Sequence, residues 1–168
     1  MKLKVHNNFL EKKDFKNIQS LLISDNFPWY FNKRKVVNDF DKIYNFQFTH
    51  IFYKDFEIKS NYFEVLKPLI NKLNPISIIR VKVNLTTPYT QIVSHAFHTD
   101  INQVQNRDKD IKVGIFYINT NNGKTIFSNK TEIESIENRF IEFPISEIHA
   151  GTTHTDTKSR IVLNINWI

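Results

Sequence analysis

The change of hydrophobic period at Ile76 constrains the fold of this chain more than any other feature. Upstream, EKKDFKNIQSLLIS (11–24) sets Phe15, Ile18, Leu21 and Leu22 at helical spacing, and SNYFEVLKPLINKL (60–73) does the same with Phe63, Leu66, Leu69, Ile70 and Leu73. Ser60 reads as an N-cap for the second helix. Pro68 predicts that this helix is kinked or begins only near Lys67. Downstream, apolar and polar residues alternate or form short β-branched runs: ISIIRVKVNL, QIVSHAFHTD, IKVGIFYIN, KTIFS, RFIEFP and RIVLNINWI. At least six short strands with turn-like spacers and no helix between them predict an antiparallel sandwich or barrel, the jelly roll being one solution. The fold class expected is α+β, mainly β, with supporting helices from the N-terminal half outside the barrel.

At 168 residues and 40% hydrophobic, the chain suits one domain, 1–168, with a helical or mixed support region over 1–75 and a strand-built core over 76–168. With only three glycines, its corners must be turned by Asn, Asp, Ser, Thr and Pro. Cysteine is absent, which excludes disulfides, thiolate zinc sites, iron–sulfur clusters and cysteine nucleophiles. A metal could be held only by His, carboxylate or water. No window approaches the roughly 20 apolar residues of a membrane span, and the N-terminus has no signal-like apolar run. A cytoplasmic protein without a membrane partner is expected, as a monomer or weak dimer, since no heptad or interface helix stands out. Residues 1–84 carry 15 basic against 8 acidic side chains and residues 85–168 carry 8 against 9, so the formal charge of +6 comes from the N-terminal half. A basic face can attract nucleic acid or acidic protein, although scattered lysines on a solvated surface account for it equally simply.

Chemistry enters with His98-Thr99-Asp100. On a strand, residues i and i+2 share a face, so this spacing sets an imidazole beside a carboxylate. With six His and nine Asp in the chain, chance alone supplies about 0.3 such pairs. A second copy, His154-Thr155-Asp156, illustrates the point. Only the first copy has further histidines downstream, His149 and His154, either of which can complete a metal site. The closing strand RIVLNINW puts Arg160, Val162, Asn164 and Asn166 on one face and Ile161, Leu163, Ile165 and Trp167 on the other. Burying Arg160 is costly unless a carboxylate meets it, and its planar fork suits bidentate binding of one. That carboxylate can belong to a ligand.

HTD (98–100), IFYIN (115–119), GKT (123–125), RFIEFP (139–144), His149 and Arg160 occur in the order of one family pattern. From about Ile79 to Trp167 the chain resembles the Fe(II)- and 2-oxoglutarate-dependent dioxygenases, in the prolyl 4-hydroxylase-like branch that includes small stand-alone bacterial and phage oxygenases. The resemblance implies a double-stranded β-helix, a cupin-like jelly roll. It implies that His98, Asp100 and His149 ligate Fe(II) and that Arg160 binds the 5-carboxylate of 2-oxoglutarate. Tyr117 and Thr125 would be helper hydrogen-bond donors, and Asn84 would be a further co-substrate contact. The gap to Arg160 is 11 residues from His149 and 6 from His154, and the family gap favours His149.

The reaction implied consumes dioxygen and 2-oxoglutarate, with ascorbate as reductant, and releases succinate and carbon dioxide as it hydroxylates a C–H bond. The carboxylate of Asp100 occupies the position that a halide takes in halogenating relatives, so hydroxylation is the expected outcome. A protein or peptide is the first expectation for the substrate. Nucleic acid or a small metabolite is the alternative within the same chemistry, and a non-catalytic jelly-roll binding module is the alternative outside it. Phe27-Pro28-Trp29-Tyr30-Phe31 reads as a hydrophobic plug between the helices and the sheet or as part of the site's mouth, and His95 as an ordinary exposed imidazole or, second, as a residue lining the substrate side.

Overall fold

A computed structural model describes residues 2–35, 42–100 and 110–168. Eleven strands are present among them, all paired antiparallel. They are β1 (Lys4–His6), β2 (Tyr30–Asn32), β3 (Gln47–Lys54), β4 (Glu57–Ile58), β5 (Ile78–Thr86), β6 (Lys112–Tyr117), β7 (Asn121–Phe127), β8 (Glu132–Ser135), β9 (Phe140–Pro144), β10 (His149–Gly151) and β11 (Arg160–Trp167). The large sheet runs β1-β9-β6-β11-β5-β3-β2, with β4 hairpinned onto β3, and the small sheet runs β10-β7-β8. This two-sheet antiparallel arrangement, mainly β with few helices, is a jelly roll, one of the solutions that the period change leaves open.

Helix α1 (Lys12–Leu22) buries Phe15, Ile18 and Leu22, as its spacing requires. The second helical pattern divides at the proline: a 3-10 turn, Phe63–Leu66, leads into α2 (Lys67–Leu73) with Pro68 in its first turn, where the missing N–H costs nothing. Ser60 is not the cap of this helix. Its hydroxyl accepts from the Tyr62 N–H at 3.1 Å and meets His50 Nε2 at 2.7 Å, tying the turn to β3.

The N-terminal half contributes more strand than its helical patterns suggest, since β1 to β4 all join the large sheet. Within β3, QFTHIFYK mixes polar and aromatic residues on a surface half covered by β2, and helical spacing elsewhere in that half says nothing about it. Conversely, the segment QIVSHAFHTD forms no regular strand. It is held beside β10 by bridges at Ser94–Thr152 and His98–His149, and by the Thr153 hydroxyl, which accepts from the Val93 N–H and donates to the Gln91 carbonyl. Left-handed backbone falls at Asn8, Asp55, Asn74 and Asn138, residue types that the shortage of glycine predicts, and also at Phe56 and Lys130, which it does not.

Strand alternation sorts the interior into two zones. Ile161, Leu163, Ile165 and Trp167 of β11, with Val81 and Val83 of β5 and Phe116 of β6, pack against α1, α2 and the aromatic Phe9 and Phe140. On the other faces, Val113, Ile115 and Tyr117 meet Phe127, Ile133 and Phe143 between the two sheets. Each fully buried side chain of this size contributes roughly 1.5–3 kcal/mol. At the opposite end of the inter-sheet space the inward positions are polar, and there the barrel holds a cavity instead of a core.

Candidate metal centre and co-substrate pocket

The cavity, of about 100 Å³, is lined by residues from both sheets and from the segment before Asp100. From β5 come Arg80, Lys82 and Asn84, from β11 Arg160, Val162 and Asn164, from β6 Ile115, from β7 Thr125, and from β10 His149 and Gly151. His98 and Asp100 enter from the bridged segment, and Gln47 and Lys35 from the N-terminal half.

One potential donor atom from each of His98, Asp100 and His149 lies within 4.8 Å of the others. The hydrogen bonds around them leave those atoms free. His98 Nδ1 is 3.2 Å from the Ala96 carbonyl and His149 Nδ1 is 3.1 Å from the Glu147 carbonyl. A carbonyl only accepts, so each Nδ1 carries a proton and Nε2 is the nitrogen left to ligate. Asp100 Oδ2 accepts from Asn164 Nδ2 at 2.8 Å and Asn166 Nδ2 at 3.0 Å, with Arg80 Nη2 at 3.8 Å. The other oxygen, Oδ1, faces His149 Nε2 at 3.9 Å. Backbone carbonyls two residues earlier thus fix both imidazoles, and β11 fixes the carboxylate, which is the supporting shell that metal ligands require.

The electrostatics agree with this geometry. Burial first, and then His149, lowers the His98 pKa and keeps the ring in its neutral, ligating form. Burial alone would raise the Asp100 pKa, but His149, Arg80 and the two asparagine amides outweigh it, so the carboxyl is held below its ordinary value and ionised. Lys82 is pushed down to about 8 by burial and then by Arg80, against a smaller upward pull from Asp100.

Arg160 occupies the other end of the cavity and is 4% exposed. Its Nε donates to Ser135 Oγ at 3.0 Å, Nη2 reaches the Lys124 carbonyl at 3.4 Å, and Cζ lies 6.0 Å from the centre of the Tyr117 ring. No ion pair joins it to a carboxylate among the described residues. Gly123 makes room for this side chain, because a Cβ there would lie 2.8 Å from Arg160 Cδ. The Tyr117 hydroxyl donates to Thr125 Oγ1 at 2.8 Å, and Thr125, not Tyr117, lines the cavity. Tyr117 therefore reaches the cavity through Thr125. Asn84 Oδ1 is buried at the cavity wall without a hydrogen-bond partner, a costly state that a bound ligand can relieve.

The second His-Thr-Asp copy is structural. His154 is fully buried with Nε2 3.1 Å from the Thr157 carbonyl, and the Asp156 carboxylate accepts the Asn122 N–H at 3.0 and 3.1 Å. His95 is not the exposed imidazole that the sequence suggests: it is 3% exposed, set edge-on to Tyr44, and burial, followed by Lys35 and Arg160, pushes it down to about 2. The aromatic cluster divides. Phe27 and Trp29 plug the core, while Tyr30 and Phe31 stay 62% and 64% exposed on β2. Sequence reasoning put Asn164 and Asn166 on the face of Arg160 without giving them a task, and it passed over Arg80, Lys82, Lys35 and Ser135. A signal was present, since three polar residues on the buried face of one strand need partners inside.

The sequence matches no protein-family model and no curated protein. Solved structures do share the fold. The viral collagen prolyl hydroxylase of Paramecium Bursaria Chlorella virus-1, in its 2OG complex, superposes with a TM-score of 0.62 at 17% identity, over 100% of this chain and 97% of that one. A prolyl hydroxylase from Trichoplax adhaerens, in complex with a hypoxia inducible factor oxygen degradation domain peptide, gives 0.68 at 14% identity over 98% and 83%. An oxidoreductase of the 2OG-Fe(II) oxygenase family from Burkholderia pseudomallei gives 0.68 at 10% identity over 98% and 84%. The architecture is therefore the double-stranded β-helix of these oxygenases, spanned almost end to end.

Proposed function

We propose that this chain is an Fe(II)- and 2-oxoglutarate-dependent oxygenase that hydroxylates a C–H bond, with a protein side chain as substrate. One observation carries the reading: two imidazole Nε2 atoms and one carboxylate oxygen, each left free by its neighbours' hydrogen bonds, converge at one end of a cavity whose other end is a buried arginine. This donor set fits a divalent iron held on one face with its remaining positions open. His98, Asp100 and His149 would hold the metal, which with 2-oxoglutarate and dioxygen supplies the oxidising power. No side chain at the site could replace it.

The chain's own residues bind and orient. Arg160 takes the distal carboxylate of 2-oxoglutarate, and its bonds to Ser135 and Lys124 aim the guanidinium along the cavity. Thr125 donates its hydroxyl proton to the same ligand while its oxygen accepts from Tyr117. Asn84 offers a further polar contact. Ile115 and Val162 give the pocket apolar walls that shed water. Asn164 and Asn166 hold the outer oxygen of Asp100, so that the inner one stays directed at the metal.

The peptide complexed with the Trichoplax adhaerens enzyme and the collagen named for the viral one support a protein substrate here. A nucleic acid or metabolite substrate uses the same centre, and the basic N-terminal half favours the former. A binding module without catalysis would leave three converging donors and a buried arginine without a task. No helix among the described residues is long and apolar enough to cross a membrane.

The test is succinate formation from 2-oxoglutarate by anaerobically loaded Fe(II) protein, given ascorbate and then air, without prime substrate. Slow turnover removed by His98→Ala and reduced by Arg160→Ala is expected. Absence of turnover together with absence of metal and 2-oxoglutarate binding would leave the binding module.

A further inference from the structure

We propose that Lys82, backed by Arg80, receives a carboxylate on the prime substrate, so that this centre acts on acidic substrates: a peptide presenting an Asp or Glu side chain in the cavity, or a free acid of that chemistry. The inference rests on the oxygenase reading above and names the substrate class of the same site.

Charge is its first ground. Among the described residues, Arg80, Lys82 and Arg160 line the cavity against the single carboxylate of Asp100. A ferrous ion and a 2-oxoglutarate dianion cancel each other, so the occupied cavity keeps the same positive excess. A further anion would neutralise it.

Position is the second. Across β5 and β11, Thr86 faces Arg160, Asn84 faces Val162, Lys82 faces Asn164 and Arg80 faces Asn166. Arg160 and Asn164 are four residues apart, roughly 13 Å along the strand at the rise of a β-strand. Lys35 and Arg160 belong to one end, both within 3.7 Å of the site a Gly151 Cβ would take. Lys82 belongs to the other end, beside Asp100, beyond the distal carboxylate of a co-substrate held by Arg160.

Partnering is the third. Arg80 is committed at Nη2, 3.2 Å from Asn164 Oδ1 and 3.8 Å from Asp100 Oδ2, while its Nε is buried without a hydrogen-bond partner. No hydrogen bond or ion pair holds the Lys82 ammonium among the described residues, and its neighbours across both strand pairings, Asn164 and Ile51, carry no charge. Asp100 attracts it but is already held by Asn164, Asn166 and Arg80, and a buried cation that no group bonds is expensive unless a ligand supplies a partner. Depth favours a carboxylate over nucleic acid, because the base that would enter such a cavity is uncharged and its phosphates stay outside.

The deciding experiment loads the protein with Mn(II) and 2-oxoglutarate without oxygen and measures binding of four probes. These are capped peptide pools with Asp or Glu at the centre, the same pools with Asn or Gln, free aspartate and glutamate, and oligothymidine. An acidic probe binding at least about tenfold more tightly than its amide counterpart is expected. Lys82→Met should abolish that preference and Lys82→Arg should keep it, with 2-oxoglutarate affinity changed less than about twofold in both. Peptide and free-acid arms identify the source of the carboxylate. The proposal is overturned by equal or no binding of acids and amides, by a preference that survives Lys82→Met, by tighter binding of oligothymidine than of any acid, or by a tenfold loss of 2-oxoglutarate affinity in Lys82→Met. Failure of the wild type to bind 2-oxoglutarate would instead count against the oxygenase reading, and the acid-to-amide ratio on the Mn(II)-loaded protein would still decide the role of Lys82.

Discussion

Asn166 Nδ2 donates to Asp100 Oδ2 at 3.0 Å, so the residue before the last tryptophan of β11 orients a carboxylate 66 positions earlier in the chain. Its own Oδ1 is buried without a partner. Asn166→Leu keeps the branching at Cγ and removes that unsatisfied acceptor, but its larger side chain at a fully buried site should lower the melting temperature. The carboxylate loses one of its two anchors, and metal affinity should fall roughly 10–100-fold, the usual cost of losing such a supporting contact. Mn(II) titration of the metal-free protein, paired with a melting curve, checks both halves. Unchanged affinity would mean that Asn164 alone suffices.

The two candidate distal histidines should separate cleanly. His149→Ala removes a donor from the converging group and should abolish Mn(II) binding at micromolar metal. His154→Ala removes a fully buried ring and its 3.1 Å contact with the Thr157 carbonyl, so it should lower the melting temperature while Mn(II) still binds. The opposite pattern would exchange their roles.

What was legible in the sequence is what local chemistry encodes. Alternation in RIVLNINW placed Arg160, Asn164 and Asn166 on one face, and that is the face toward the cavity. The order His98, Asp100, Tyr117, Thr125, His149 and Arg160 anticipated the residues now found on or just behind one cavity. Long-range pairing was not legible. Asp100 is fixed by strand β11 and Arg160 by Ser135 of β8, and neither contact leaves a mark at the residue it serves. Lys82 looked like one more lysine in a basic half until β5 aimed it inward. Tyr117 carries the right residue type, but its hydroxyl is spent on Thr125, a fact of packing between β6 and β7 that no spacing rule contains.

Gly123 should control co-substrate affinity through space alone. Its backbone is ordinary, yet an added Cβ would meet Arg160 Cδ at 2.8 Å, Asn121 Oδ1 at 2.9 Å and Arg160 Nε at 3.0 Å. The arginine stem must then shift, and the 3.0 Å bond from Nε to Ser135 shifts with it. Gly123→Ala should raise the KM for 2-oxoglutarate about tenfold, equivalent to about 1.4 kcal/mol, and leave Mn(II) affinity intact, because no metal-binding group touches Arg160. Loss of Mn(II) binding in this variant would show that the two ends of the cavity are not independent.

Stability should fall on mild acidification of the metal-free protein. Burial is the leading cause that lowers the pKa of His50 and His154, and that brings His95 to about 2. In the unfolded chain these rings titrate near their ordinary value of about 6.5. Above that pH both states hold them neutral and nothing is lost. Below it the unfolded state takes up protons that the folded state refuses, so unfolding becomes progressively easier as pH drops from about 6.5 toward the folded-state values. Urea midpoints between pH 7.5 and 5 should therefore decline on the acid side of 6.5. His154→Asn should flatten that decline, since one of the buried rings no longer titrates. A midpoint that rises on acidification, or a slope identical in His154→Asn, would place the pH response in other groups.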